Sequence, residues 1–129
     1  MRVFAIALIL AGCGIEPIER QQRGTLSSED MRHPQDDSYY DAFTFQAKEG
    51  YEIELILDSE AFDAFLLLND PSGEQIAQND DRDVDDQNSR ITIDAPVEGT
   101  YTVFANSRAE GETGEYTLTI RTRLPDQPD

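Results

Sequence analysis

One eight-residue run limits the fold more tightly than anything else in the chain. In Tyr51-Glu52-Ile53-Glu54-Leu55-Ile56-Leu57-Asp58, a large apolar side chain recurs at every second position. A strand turns successive side chains to opposite faces, so Tyr51, Ile53, Leu55 and Leu57 make one apolar row while Glu52, Glu54 and Asp58 face water. A helix would scatter the same four around its circumference. The alternation returns in Ala42-Phe43-Thr44-Phe45-Gln46-Ala47, in Tyr101-Thr102-Val103-Phe104-Ala105 and in Tyr116-Thr117-Leu118-Thr119-Ile120-Arg121. Phe62 to Leu68 is a denser apolar run, which reads as a strand covered on both faces. Shorter strands centre on Ile76 and on Ile91-Thr92-Ile93. Turn chemistry separates them: Lys48-Glu49-Gly50, then Asp70-Pro71-Ser72-Gly73 with proline second and glycine fourth, then Ala95 to Gly99, then a loop holding Gly111 and Gly114. No helical period appears after residue 40. The pattern predicts an all-β antiparallel sandwich, jelly-roll-like, of about seven to eight strands.

The flanks lack this signal. Residues 13–24 are polar, carry one proline and hold no period, so they read as a flexible linker. The sandwich is placed at 25–122, opening on a polar stretch in which Ser27-Ser28-Glu29-Asp30 can cap a short helical turn and is otherwise loop. Residues 123–129 read as a disordered tail.

With 129 residues the length is that of one domain. Net charge is −17, from 27 acids against 10 bases. Phosphate recognition needs clustered Lys and Arg, so nucleic acid is excluded as a partner. Such an acidic surface strains a compact state by self-repulsion, which divalent cations relieve. The only cysteine is Cys13, so no disulfide closes within the chain.

Cys13 has a distinctive setting. One arginine precedes the apolar run Val3 to Ala11, the length of a signal-peptide core and too short to span a bilayer. The run ends in Leu10-Ala11-Gly12-Cys13, which resembles a bacterial lipobox. The resemblance implies that residues 1–12 are a lipoprotein signal peptide and that Cys13 carries lipid and becomes the mature N-terminus. It further implies envelope location on a membrane anchor, with two or more acyl chains giving stable attachment. Gly14 in place of Asp resembles the pattern that allows outer-membrane sorting in diderm bacteria. In a host with one membrane the site would be the outer face of that membrane.

A second resemblance covers roughly residues 24–121. Its segments are Ser38 to Phe45, Phe62 to Leu68, Asp70-Pro71-Ser72-Gly73, Asn79-Asp80-Asp81, Ser89-Arg90-Ile91, Glu98-Gly99-Thr100-Tyr101 and Gly114 to Leu118. In that order and spacing they resemble the bacterial pre-peptidase C-terminal domain. The family implies a non-catalytic jelly-roll-like sandwich, usually following a secreted peptidase. Some members bind calcium, some bind collagen or other insoluble polymers, and some are removed during maturation. No peptidase precedes the domain in this sequence.

Chemistry concentrates in residues 79–86, Asn-Asp-Asp-Arg-Asp-Val-Asp-Asp. Calcium takes six to eight oxygen ligands, which carboxylates and amides on a loop can supply. The spacing is not that of an EF-hand, because position six holds Asp86 and position twelve holds Thr92. The expected calcium ligands are Asn79, Asp80, Asp81 and Asp86, with Asp63 or Asp37 from other loops; a solvated acidic loop is the simpler alternative. Serine catalysis needs a base, and the one histidine, His33, lies in the polar N-terminal loop. Zinc lacks its usual His and thiolate ligands. Tyr39 and Tyr40 precede the first clear strand and are the candidate platform for a sugar or peptide, with packing over a sheet end as the plainer role. The sum is a monomeric, non-enzymatic binding or accessory module for an extracellular polymer or protein. The alternative is a structural envelope or peptidase-associated protein with no ligand of its own.

Overall fold

A computed structural model describes residues 15–32, 39–79, 88–107 and 112–125. Among them there is no helix; the elements are β1 (Glu19–Leu26), β2 (Met31–Arg32), β3 (Tyr39–Ala47), β4 (Glu52–Asp58), β5 (Ala64–Asn69), β6 (Gln75–Asn79), β7 (Ser89–Asp94), β8 (Gly99–Ser107) and β9 (Gly114–Arg123). They form a four-stranded sheet, β1-β9-β4-β7, and a five-stranded one, β2-β3-β8-β5-β6. All pairs are antiparallel. With the two-residue β2 set aside, successive strands alternate between the sheets except at the β5-β6 hairpin, which stays within the five-stranded sheet; the wiring is jelly-roll-like.

The core is the sum of the predicted rows. Tyr51, Ile53, Leu55 and Leu57 are buried, as are Phe45, Leu66, Leu68, Tyr101, Val103, Tyr116, Leu118 and Ile120. Phe45 stacks on Tyr101 with ring centroids 5.7 Å apart. The Tyr101 hydroxyl donates to the carbonyl of Val97 and accepts from its amide, which ties the strand to the turn before it. This is the tyrosine corner of β-sandwiches. The second turn is fixed by Asp70, whose Oδ1 accepts from Ser72 N, Ser72 Oγ and Glu74 N at 2.7–3.0 Å. These bonds, that to Ser72 foremost, hold its carboxyl below the usual aspartate range.

Four sequence expectations are corrected. The segment read as a linker is strand β1 from Glu19 onward, paired along its length with β9. Its side chains are polar because it is an edge strand bound by main-chain hydrogen bonds; only Leu26 is buried. Ile18 packs against the core as well. At the other end β9 runs through Arg123, the first residue of the expected tail. Ser27 to Asp30 is a turn, closed by Asp30 N on Ser27 O and by Ser27 N on Asp30 Oδ2.

The fourth correction is Glu54, expected in water and only 6% exposed. Its carboxylate pairs with Arg90 of β7 and Arg121 of β9, and Arg121 also reaches Glu19 of β1 at 3.3 Å. One charge ladder thus crosses all four strands of that sheet, and the arginine stems cover Glu54. Burial pushes the Glu54 carboxyl up, but Arg90 and then Arg121 outweigh it and hold the group below the usual glutamate range.

Candidate functional site

The wiring makes the two ends of the sandwich unlike. At one end three tight connections close the barrel: residues 48–51, 70–74 and 95–98. At the other, the register sets Leu26 beside Gly114, Thr117 beside Asp58, Leu57 beside Ser89, Ala64 beside Ser107 and Leu66 beside Asn79. Every connection longer than five residues, 33–38, 80–88 and 108–113, joins strand ends at this open end, as do the shorter 27–30 and 59–63. Loops held by a rigid frame are where binding residues concentrate.

A cleft of about 940 Å³ lies there. Its walls are Arg23, Gly24 and Thr25 of β1, Asp58 to Ala61 after β4, Asn88 before β7, and Glu115 to Thr117 of β9. Ser59 fixes one wall: its hydroxyl donates to Glu115 O at 2.8 Å and accepts from Ala61 N and Phe62 N at 3.0 and 3.3 Å. Its own amide donates to Asn88 Oδ1 at 2.9 Å. Gly114 lets this wall approach, since a Cβ there would strike that of Ala61. The lining holds the acids Asp58, Glu60 and Glu115 and one cation, Arg23.

An unusual acid lies behind the cleft residue Tyr116. Asp41 occupies the inward row of β3 between Tyr39 and Phe43, and it accepts the Tyr116 hydroxyl from the opposite sheet. Gly24 makes room, because a Cβ there would run into that hydroxyl. Burial pushes the Asp41 carboxyl above the usual aspartate value; the Tyr116 hydrogen bond opposes this, and the neighbouring Asp30 adds to it. Burial and the same Asp41 bond drive the Tyr116 hydroxyl strongly upward.

The predicted site residues that are described, Tyr39, Tyr40, Asp63 and Asn79, lie toward the open end but serve no single purpose. Asn79 joins two sheets: its carbonyl accepts the Ser89 hydroxyl, and its Oδ1 accepts Arg90 N at 3.4 Å. Asp63 is half-buried and lies three residues beyond Leu66, the partner of Asn79, or about 10 Å of extended chain. Asp80, Asp81, Asp86 and Asp37 lie outside the described residues, as do Cys13 and His33. Among the described residues no group of three or more His, Cys, Asp or Glu gathers to hold a metal ion. Tyr39 is 7% exposed and offers no open ring. Tyr40 is half-buried, edge-on to Phe104 at 5.4 Å, with its hydroxyl toward Met31 Sδ at 3.8 Å. Both tyrosines pack over the sheet end. The cleft residues Arg23, Ser59, Asn88 and Glu115 escape sequence reasoning because they come from four separate segments with no shared spacing.

The arrangement can grip a polar surface. The hydroxyls of Ser59 and Ser89 are committed to backbone oxygens rather than to a base. The chain is placed by its family and by its fold. The sequence model of the bacterial pre-peptidase C-terminal domain matches residues 39–107, just over half of the chain. Among solved structures, the sandwich is similar to an Aeromonas hydrophila protein described as PliG, a periplasmic lysozyme inhibitor of g-type lysozyme. The TM-score is 0.58 at 18% identity, over 81% of this chain and 86% of that one, which is a likeness of fold. No curated protein matches the sequence.

Proposed function

The chain belongs to the bacterial pre-peptidase C-terminal domain family, and we propose that it is a non-catalytic module that holds a protein partner at its open end. The observation that carries this is the gathering of every long connection, and of the acidic cleft, at one end of a sandwich whose other end is shut by tight turns. A similar fold serves in a protein described as an enzyme inhibitor, which favours a protein over a polymer as the partner. The acid excess favours a basic partner, because complementary charge speeds encounter and rejects acidic competitors.

The proposal includes an envelope location. Cys13 carries the lipid, and residues 1–12 are removed. It also includes calcium at the open end, drawn from Asp80, Asp81 and Asp86 with Asp63, while Asn79 serves the frame.

The test uses two baits, the wild-type domain and one carrying Glu60→Lys and Glu115→Lys. Wild type should retain a basic envelope protein that the variant loses, with both baits melting alike. Equal capture by both, or retention on polysaccharide alone, would count against the proposal. Labelled palmitate should enter wild type and not Cys13→Ala; an unlabelled wild type removes the anchor. An unchanged melting midpoint between calcium and chelator removes the metal.

A further inference from the structure

The folded body begins earlier than its polar sequence suggests. The Tyr51 hydroxyl donates to the carbonyl of Ile15 at 2.5 Å. Ile18 N donates to Thr122 Oγ1 at 2.9 Å, and Thr122 N donates to Ile18 O at 2.9 Å. Tyr51 and Thr122 are themselves buried, so these bonds tie the segment to the frame. All of them lie at the closed end, where β4 starts and β9 stops.

Only two residue steps separate Ile15 from Cys13. Their greatest reach is about 7 Å. The domain is much longer: β4 alone spans roughly 20 Å and β9 roughly 30 Å. A twelve-residue flexible linker would have a mean span of about 20 Å and would let the domain tumble. Two steps do not allow it to turn over.

We propose that the domain stands directly on the bilayer that holds its lipid, closed end down and open end outward. This rests on the lipidation of Cys13 proposed above. The closed end suits neutral contact. Two of the three large apolar side chains that the described residues leave exposed, Val97 at 46% and Leu124 at 45%, lie there. Its charges are mostly acidic, with Glu49, Glu52, Asp70, Glu74, Asp94 and Glu98 against Lys48 and Arg123, so anionic headgroups do not attract it. The short anchor, not adhesion, sets the orientation. The cleft then faces away from the membrane, where a partner can reach it.

The experiment uses the full lipidated chain in phosphatidylcholine vesicles, with a nitroxide on Glu98→Cys at the closed end or Glu60→Cys at the open end. The Cys13 sulfur is consumed by its thioether, so only the introduced thiol takes label. Collision with a water-soluble nickel chelate should be several-fold lower at 98 than at 60, and twenty Gly-Ser residues inserted after Gly14 should erase the difference. Equal accessibility in the uninserted chain, or a more protected position 60, overturns the orientation. Palmitate incorporation and vesicle pelleting on the same samples separate the two ideas. A lipidated, pelleting protein without the difference sinks the orientation alone, whereas an unlipidated, non-pelleting one sinks the anchor and the orientation with it.

Discussion

Glu54 and Asp41 are carboxylates in opposite sheets with opposite environments, and pH separates them. Glu54 is held below its ordinary value by Arg90 and Arg121. Its contribution is therefore present above about pH 4.5 and is lost as pH falls through the folded value. Asp41 is held above its ordinary value by burial, so its contribution is present below about pH 3.8 and is lost as pH rises through the folded value. Glu54→Gln should cost about 1–3 kcal/mol at pH 7, toward the low end because Arg90 is half exposed, and the loss should shrink toward pH 4. Asp41→Asn, which keeps an acceptor for Tyr116, should gain on wild type as pH rises from 4 to 7. Urea midpoints of the three proteins at both pH values check both signs; parallel shifts would contradict the assignment. Neither residue announces itself. The alternation puts Glu54 on the outer face, and nothing local reveals the two arginines that cover it from strands 36 and 67 residues away. Asp41 follows two tyrosines in a run whose inward row is apolar on either side, and only the opposite sheet explains it.

At the scale of elements, β1 separates what pattern can show from what it cannot. The strands with large alternating side chains, β3, β4, β8 and β9, lie where the sequence puts them, because burying their apolar rows is what drives the sheets together. An edge strand needs no apolar row. β1 reads Glu19-Arg20-Gln21-Gln22-Arg23-Gly24-Thr25-Leu26 and is held through its backbone, with Arg20 bonding Thr44 O of the facing sheet at 2.9 Å. A chain beginning at residue 25 should therefore fail to fold or should aggregate through the bared edge of β9, which light scattering and circular dichroism would reveal. A soluble, cooperatively melting product would contradict the role of β1. Tyr51→Phe is the mild counterpart. Losing the bond to Ile15 should cost about 1 kcal/mol and speed amide exchange at residues 15–18 while the rest of the fold is unchanged.

The whole molecule has a polarity that no segment displays. Tyr39, Tyr40, Asp63 and Asn79 lie toward the open end, but none of them lines the cleft. The tyrosines pack, Asn79 braces, and the cleft is built from Arg23, Ser59, Asn88 and Glu115. Such a site is assembled by jelly-roll wiring and has no linear signature. The excess of acids spreads over one small body, so the domain should gain stability with added salt through screening, and more so with calcium if the open end binds it. Thermal melts with matched ionic strength, with and without calcium, separate the two contributions. The most direct test of a partner held at the open end is site-specific photo-crosslinking in living cells. The crosslinker is placed at Glu60 or Asn88 beside the cleft, and at Ser72 on the closed end. A discrete protein adduct from positions 60 and 88 that is absent from 72 is the expected result. Adducts from 72 alone, or equally from all three, would contradict it.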